Sequence, residues 1–321
     1  MTMINIKTTP NANEIWSGIG GHFDSLGQII NEFIDNSVSN FEGNSDLLSK
    51  NILITLSQLQ TGNVKVSIED TGTGMKDLDA AFTLGCRRGA ESPLNEHGFG
   101  LKHALASADP SNNCWSISTR TAEDLKNNYY KKISAPYSFD HFCAESIDAS
   151  QWPGAYSGTG TIVTFECTYD MYKTLSKGMN DEGARGRPVE DFEKIATLLY
   201  EDIGFVYAGI ISNAKASILL KVVPLNGASS SVIHPVGAIT PDFEDWIKPG
   251  KGNSEVDLGN GKVSIHYQFG ISVAKDDNKD YEFVNTKTRR YYKNTMTSSG
   301  VEIRLNGRVL CYNLFKEIWG L

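Results

Sequence analysis

Residues 28–40 read QIINEFIDNSVSN, and their spacing sets the reading of the chain around them. Ile29, Ile30, Phe33 and Ile34 recur at helical intervals and form a stripe that buries against a sheet. Glu32 and Asn36 lie four residues apart, so on a helix they project from one side. A carboxamide oxygen is a hard donor suited to Mg²⁺. A carboxylate one turn away can orient and deprotonate a water beside a bound phosphate. The same pair is equally the polar face of an ordinary amphipathic helix. The helical pattern extends from about residue 15 to residue 40.

Downstream, residues 51–59 (NILITLSQL) and 63–69 (NVKVSIE) alternate as strands, with Thr61-Gly62 as the turn between them. The second strand runs into Asp70-Thr71-Gly72-Thr73-Gly74-Met75. An Asp at a strand end can accept a hydrogen bond from an exocyclic amino group, and the glycines let backbone approach a flat ligand. A plain Gly-rich turn reads the same way. Residues 76–84 suit a short helix, and 85–97 are polar and irregular. Gly98-Phe99-Gly100-Leu101-Lys102 then opens a helix over 101–107, where backbone N–H groups and a lysine can meet an anion. The string is neither a Walker A loop nor a dinucleotide fingerprint. Residues 115–119 and 161–166 read as further strands, whereas 121–157 carry no assignable pattern.

The order of these pieces adds information that none has alone. Glu32-x-x-x-Asn36, Asp70-x-Gly72-x-Gly74, Gly98-x-Gly100-x-Lys102 and Gly160-Thr161 before a strand follow one another along residues 28–166. The series resembles the GHKL superfamily, which includes gyrase-type topoisomerases, a heat-shock chaperone, MutL mismatch-repair proteins, histidine kinases and MORC ATPases. Glu-Phe-Ile-Asp-Asn and Gly-Phe-Gly-Leu-Lys resemble the MORC-like branch most. The resemblance implies an α+β chain: a Bergerat-type ATP-binding α/β sandwich, then a smaller α/β transducer-like domain.

It also implies roles. Glu32 is the general base, and Asn36 holds Mg²⁺. Asp70 reads the adenine amino group, with Gly72, Gly74, Met75 and Thr161 around the base. Gly98, Phe99, Gly100, Leu101 and Lys102 form the phosphate loop. Residues 76–97 become a lid hinged at Gly85, Gly89 and Gly98. Arg87, Arg88, Asp35, His97 and His103 have surface or structural readings at least as good as ligand roles.

A glycine- and charge-rich stretch near 178–188 divides the chain into an ATP-binding domain (1–185) and a transducer-like domain (186–321). The latter opens with an amphipathic helix bearing Phe192, Ile195, Ala196, Leu199 and Ile203. Strand-like runs ASILLKVV, KVSIHYQFGISVA and VEIRLNGRVL follow, then a helix-like piece at 314–319. The run VEIRLNGRVL resembles a late transducer strand. Lys287 and Lys293, in a basic run with Arg289 and Arg290, are the candidates for a cation reaching the γ-phosphate, with Asn285-Thr286-Lys287 the nearest string to the gyrase-type loop.

The 321 residues carry a formal charge of −8, a poor balance for a dedicated nucleic-acid module. No apolar run approaches the roughly 18–20 residues of a membrane helix, and the first residues lack a signal-peptide core. Five scattered cysteines without a CxxC pair suit a reducing, cytoplasmic setting and offer no zinc ribbon. Serine- and zinc-hydrolase motifs are absent.

The leading expectation is therefore an ATPase that uses ATP and Mg²⁺, closes a lid and joins a second copy of itself. The N-terminal arm, residues 1–20, is the element to exchange, and DNA or an effector domain is a further partner. The alternatives are a nucleotide-sensing scaffold with little hydrolysis and a histidine kinase-type phosphotransferase. Against the latter, such kinases usually place Asn where Glu32 stands.

Overall fold

Burial of one helix stripe against one sheet face organises the first unit. In the computed structural model, residues 11–44, 46–84, 86, 99–138, 142–177, 190–225, 233–241, 243, 246–259, 261–271, 300–312 and 314 are described. The helical pattern over 15–40 is two helices. α1 (Ala12–Ile19) ends in a 3-10 turn at Gly20–His22, and α2 (Leu26–Glu42) starts afresh. The break is set by Ser25, whose extended backbone and side-chain oxygen cap the Gln28 N–H, a local signal that outweighs the continuing periodicity.

β1 (Asn51–Gln58) and β2 (Val64–Asp70) form the expected hairpin, with Gly62 at φ +88° in its turn. α3 (Leu78–Phe82) follows, capped by Asp77, then α4 (Gly100–Ala108) and β3 (Trp115–Arg120). The unassigned stretch after it contains α5 (Ala122–Lys126), β4 (Tyr129–Ser134) and β5 (Glu145–Asp148). Next come β6 (Gly160–Cys167), α6 (Tyr169–Lys173), α7 (Phe192–Val206), α8 (Ala208–Ser212), β7 (Ser217–Val223) and β8 (Ile233–Pro235).

These strands make one eight-stranded sheet in the order β5-β4-β3-β6-β2-β1-β7-β8. Every neighbouring pair is antiparallel except β1 with β7. Register fixes which side chains share a face, because alternate residues point oppositely. Ile52, Ile54, Val66, Ile68, Val163 and Phe165 are buried on the side of α2, where Phe33 meets Phe165 at 5.9 Å between ring centroids. Lys65, Ser67, Thr164 and Glu166 lie on the opposite face and remain at least partly exposed.

α1 docks on the same layer. Trp16 is buried between Trp115 and Tyr137, at 5.6 and 5.4 Å, and its Nε1 donates to the Asp109 carbonyl. Through Trp16, α1 thus packs against its own chain. The amphipathic helix is α7, with Phe192, Ile195, Ala196, Leu199 and Ile203 all buried.

The compact units do not follow the 185/186 division. Residues up to Ile203 and Ile210–Val236 form one, because β7 and β8 continue the sheet through β1. The other comprises Gly204–Gly209 and the chain from Gly237. It contains the hairpin β9 (Ile247–Asp257) and β10 (Lys262–Ile271). A second hairpin, β11 (Ile303–Leu305) and β12 (Arg308–Cys311), replaces the single strand expected over VEIRLNGRVL. Asn306 and Gly307, at φ +53° and +96°, supply the two positive φ values of a tight hairpin turn. The helix-like piece at 315–319, the N-terminal residues 1–10, Gly85, Arg87, Arg88, Gly89, His97 and the basic run at 287–293 lie outside the described residues.

Candidate functional site

The site begins with a stripe on α2. Gln28, Glu32, Asn36 and Asn40 succeed one another at four-residue steps and are all half-exposed, whereas Asn31, Asp35 and Ser37 are buried. Glu32 faces the start of α4: a Cβ built on Gly100 would overlap its carboxylate. The first residue of α4 therefore leaves room for the acid of α2, and the fold brings Glu32 and Gly100 together. Gly98 of the same loop lies outside the described residues.

At the end of β2, Asp70 is enclosed by protein yet keeps an accessible edge. Its Oδ1 accepts from Gly72 N–H at 2.8 Å, and its Oδ2 accepts from Ser37 Oγ at 3.1 Å. Burial pushes its carboxyl up to about 6, against those hydrogen bonds and one from the Thr161 backbone, which lower it, and with a small push from Glu69. Opposite Asp70 in the β6 register stands Thr161, whose hydroxyl lies 3.2 Å from that of Thr119 on β3. Thr119 Oγ1 also accepts from Met75 N–H at 2.7 Å. The carboxylate, two threonines and the Met75 backbone thus converge where three strands end.

Gly72 and Gly74 have distinct reasons to be glycine. A Cβ on Gly72 would press on the Asn40 carboxamide and the Asp70 carboxylate. Gly74 has φ +74°, and a Cβ there would lie 2.7 Å from the Arg120 carbonyl carbon. The loop is tied to α2 by Asn40, which accepts from Thr73 N–H at 2.9 Å and donates to Thr73 Oγ1 at 3.0 Å.

Lys102 is not aimed at a phosphate here. It is 2% exposed, and its ammonium donates to the carbonyls of Ala81 and Thr83 at 2.9 and 3.1 Å, capping the end of α3. Burial lowers its pKa to about 8. A side chain that leaves the first turn of α4 on its inner side reaches α3, a direction sequence spacing does not encode. Phe99 stacks on His103 at 5.3 Å, and His103 lies 4.5 Å from His22. Phe99, Leu101 and Met75 are part-exposed.

The opposite face of the same strand ends holds a second network that sequence reasoning missed. Buried Glu69 accepts from Ala155 and Tyr156 N–H at 2.8 and 2.9 Å. Buried Arg120 donates to the carbonyls of Gly158 and Tyr156 and lies 4.1 Å over the Trp152 ring. Each is the chain neighbour of a group on the candidate site: Glu69 of Asp70, Arg120 of Thr119. Ser37, Asn40 and Thr119 were also missed. Ser37 and Asn40 lie within the 28–40 stretch, one and four residues beyond Asn36, a spacing that could have singled them out.

Among the described residues, no group of three or more His, Cys, Asp or Glu could hold a metal unaided. Asn36 fits the other arrangement, in which Mg²⁺ takes one or two protein oxygens and the rest from substrate phosphates and water. Among the described residues, no helix is long and apolar enough to cross a membrane.

A family model described as histidine kinase-, DNA gyrase B-, and HSP90-like ATPase matches residues 21–170, the segment that carries α2, β1–β6 and every group placed above. A solved structure described as the N-terminal domain of a DNA repair protein is similar at 13% identity and a TM-score of 0.43, covering 83% of this chain and 74% of that one. No curated protein matches. With the order of motifs and the sheet both in place, residues 21–170 belong to the GHKL superfamily, the histidine kinase-, DNA gyrase B- and HSP90-like ATPases.

Proposed function

We propose that this chain binds ATP with Mg²⁺, hydrolyses it, and uses the nucleotide to control pairing with a second copy of itself, as a MORC-like conformational clamp. The observation that carries the reading is the Asp70 carboxyl, held from behind by Gly72 and Ser37 and flanked by Thr161. That arrangement presents an acceptor to an amino-bearing base. The base lies against Gly74 and Met75, and the phosphates extend toward the start of α4. Asn36 would hold Mg²⁺, which when bound screens phosphate charge.

Glu32, half-exposed beside Gly100, orients a water for attack on the terminal phosphate and accepts its proton. That acid supports hydrolysis over transfer to a histidine or a purely sensing role. Lys102 serves the phosphates only after leaving the end of α3, so nucleotide arrival and α3 capping compete for one ammonium. The part from Gly237 onward is the transducer-like domain of this scheme, and DNA is at most a locally contacted partner.

Thermal denaturation tests the base assignment. ATP with Mg²⁺ raises the melting temperature, and GTP with Mg²⁺ leaves it unchanged. Equal shifts with both nucleotides, or none with ATP, would overturn it.

A further inference from the structure

Ser37 has a single proton and two acceptors. Its Oγ lies 3.1 Å from the Phe33 carbonyl, one turn back on α2, and 3.1 Å from Asp70 Oδ2. Both contacts cannot be full hydrogen bonds at once, so the hydroxyl has two settings. In one it donates to an ionised Asp70. In the other it donates to Phe33 and accepts a proton that sits on Oδ2. Asp70 Oδ1 is held in both by Gly72 N–H.

We propose that Ser37 is a positioning residue for base selection. By turning between Phe33 and Asp70 it draws any proton on Asp70 inward, so the ligand-facing edge stays an acceptor and 6-amino purines are preferred to 6-oxo purines at acidic as well as neutral pH. The inference rests on Asp70 being the base acceptor.

The surroundings leave Ser37 as the partner for that proton. On the elements packed against Asp70, α2 carries the acids Glu32, Asp35 and Glu42, β2 carries Glu69, and β1 and β6 bring Ile52 and Thr161 opposite it. Of these acids, Glu69 acts on Asp70 through space and favours the protonated form. With the carboxyl titrating near 6, a site without the relay would lose acceptor character within the physiological range. A base that must first expel the proton binds in proportion to the ionised fraction, a loss of about 4-fold at about pH 5.5.

Adenosine and inosine are the probes, because neither carries a titrating phosphate or needs metal. Their affinities are measured by titration calorimetry at about pH 8 and about pH 5.5 for the wild type, Ser37→Ala and Ser37→Thr. The wild type and Ser37→Thr are expected to hold adenosine within about 2-fold across that range and to prefer it to inosine throughout. Ser37→Ala, which removes a hydrogen bond that holds Asp70, is expected to bind adenosine more weakly than the wild type already at about pH 8, then to lose a further about 4-fold or more on acidification while inosine gains relative to adenosine.

Equal pH profiles for the wild type and Ser37→Ala would overturn the relay. So would a wild-type adenosine affinity that itself falls about 4-fold by about pH 5.5, a readout that needs no variant to fold. No adenosine binding by the wild type at about pH 8 would instead reject the base assignment beneath it.

Discussion

At the scale of single residues, Asp70 is where fold and ligand make opposing demands. Its pKa rises from 3.8 to about 6 on folding, so the fold prefers the neutral acid. For an acid so shifted, the stability penalty is absent below about pH 4, grows between there and about pH 6, and is full above. Asp70→Asn mimics the neutral form. It is expected to raise unfolding stability by about 1–3 kcal/mol at about pH 7.5, a gain that fades on acidification and vanishes near pH 4. The same change can keep an oxygen toward Gly72 N–H and the base while its Nδ2 donates inward to Ser37 Oγ, as the protonated acid does, so ATP affinity is expected to stay within about 3-fold. Chemical denaturation at several pH values, beside ATP titration, checks both directions. A destabilised variant, or one whose ATP affinity falls about 10-fold or more, would contradict them.

Residue identity at this site was legible where one side chain carries one chemistry. Glu32 and Asn36 share a stripe of α2, as four-residue spacing requires. Gly74 has the positive φ that a DTGTG turn suggests. Side-chain direction was not legible. Lys102 satisfies the motif, yet its stem runs inward and its ammonium meets two carbonyls of a neighbouring helix. Glu69 and Arg120 left no local mark, because their partners are backbone groups of residues 155–158, far along the chain.

At the scale of elements, α3 is five residues long and depends on its ends. Asp77 caps the start by accepting from Ala80 N–H, and Lys102 caps the finish. A helix this short has little intrinsic stability, so its caps matter more than its propensity. Lys102→Ala is expected to cost about 1–2 kcal/mol, the balance of two lost charge-assisted bonds and a relieved buried ammonium. Amide exchange over residues 78–83 should accelerate while β1 and β2 stay protected. Unchanged exchange in α3 would show that the lysine does not hold it.

Element existence could be read from the sequence where periodicity and turn chemistry agreed, as in β1, β2, β6 and α7. It failed where a single cap overrode a continuing pattern, at Ser25 between α1 and α2. It failed again over 121–157, where β4 takes its place from pairing with β3, and β5 from pairing with β4, rather than from their own residues.

At the scale of the molecule, the sheet joins chain segments that the sequence separates. β7 lies beyond the glycine-rich stretch near 178–188 yet pairs in parallel with β1, a crossover whose ends no local signal marks. The compact units accordingly cut the chain twice, around Gly204–Gly209 and after Val236. In the unit containing residues from Gly237, β10 alternates apolar Val263, Ile265, Tyr267 and Phe269 with polar neighbours, and all four apolar side chains are exposed. Tyr267 and Phe269 lie across Gly252 and Gly250 of β9, where a larger residue would collide with their rings.

α1 also bears on the proposed pairing between copies. Trp16 lies stacked between Trp115 and Tyr137 of its own chain, so exchange of the arm would require that residue to undock or would be confined to what precedes it. In the proposed scheme, nucleotide-driven pairing and hydrolysis would meet in Glu32, since an acid that only aims water is dispensable for binding and needed for turnover. Removing it should slow release by about 10²–10⁴-fold, the usual contribution of a general base.

The measurement that bears most directly on this account is phosphate release and ATP affinity for Glu32→Ala beside the wild type, with Mg²⁺ and with mass followed by sedimentation. The account predicts ATP affinity within about 3-fold of wild type, phosphate release reduced at least about 100-fold, and a persistent ATP-bound dimer. Wild-type phosphate release in that variant would contradict it.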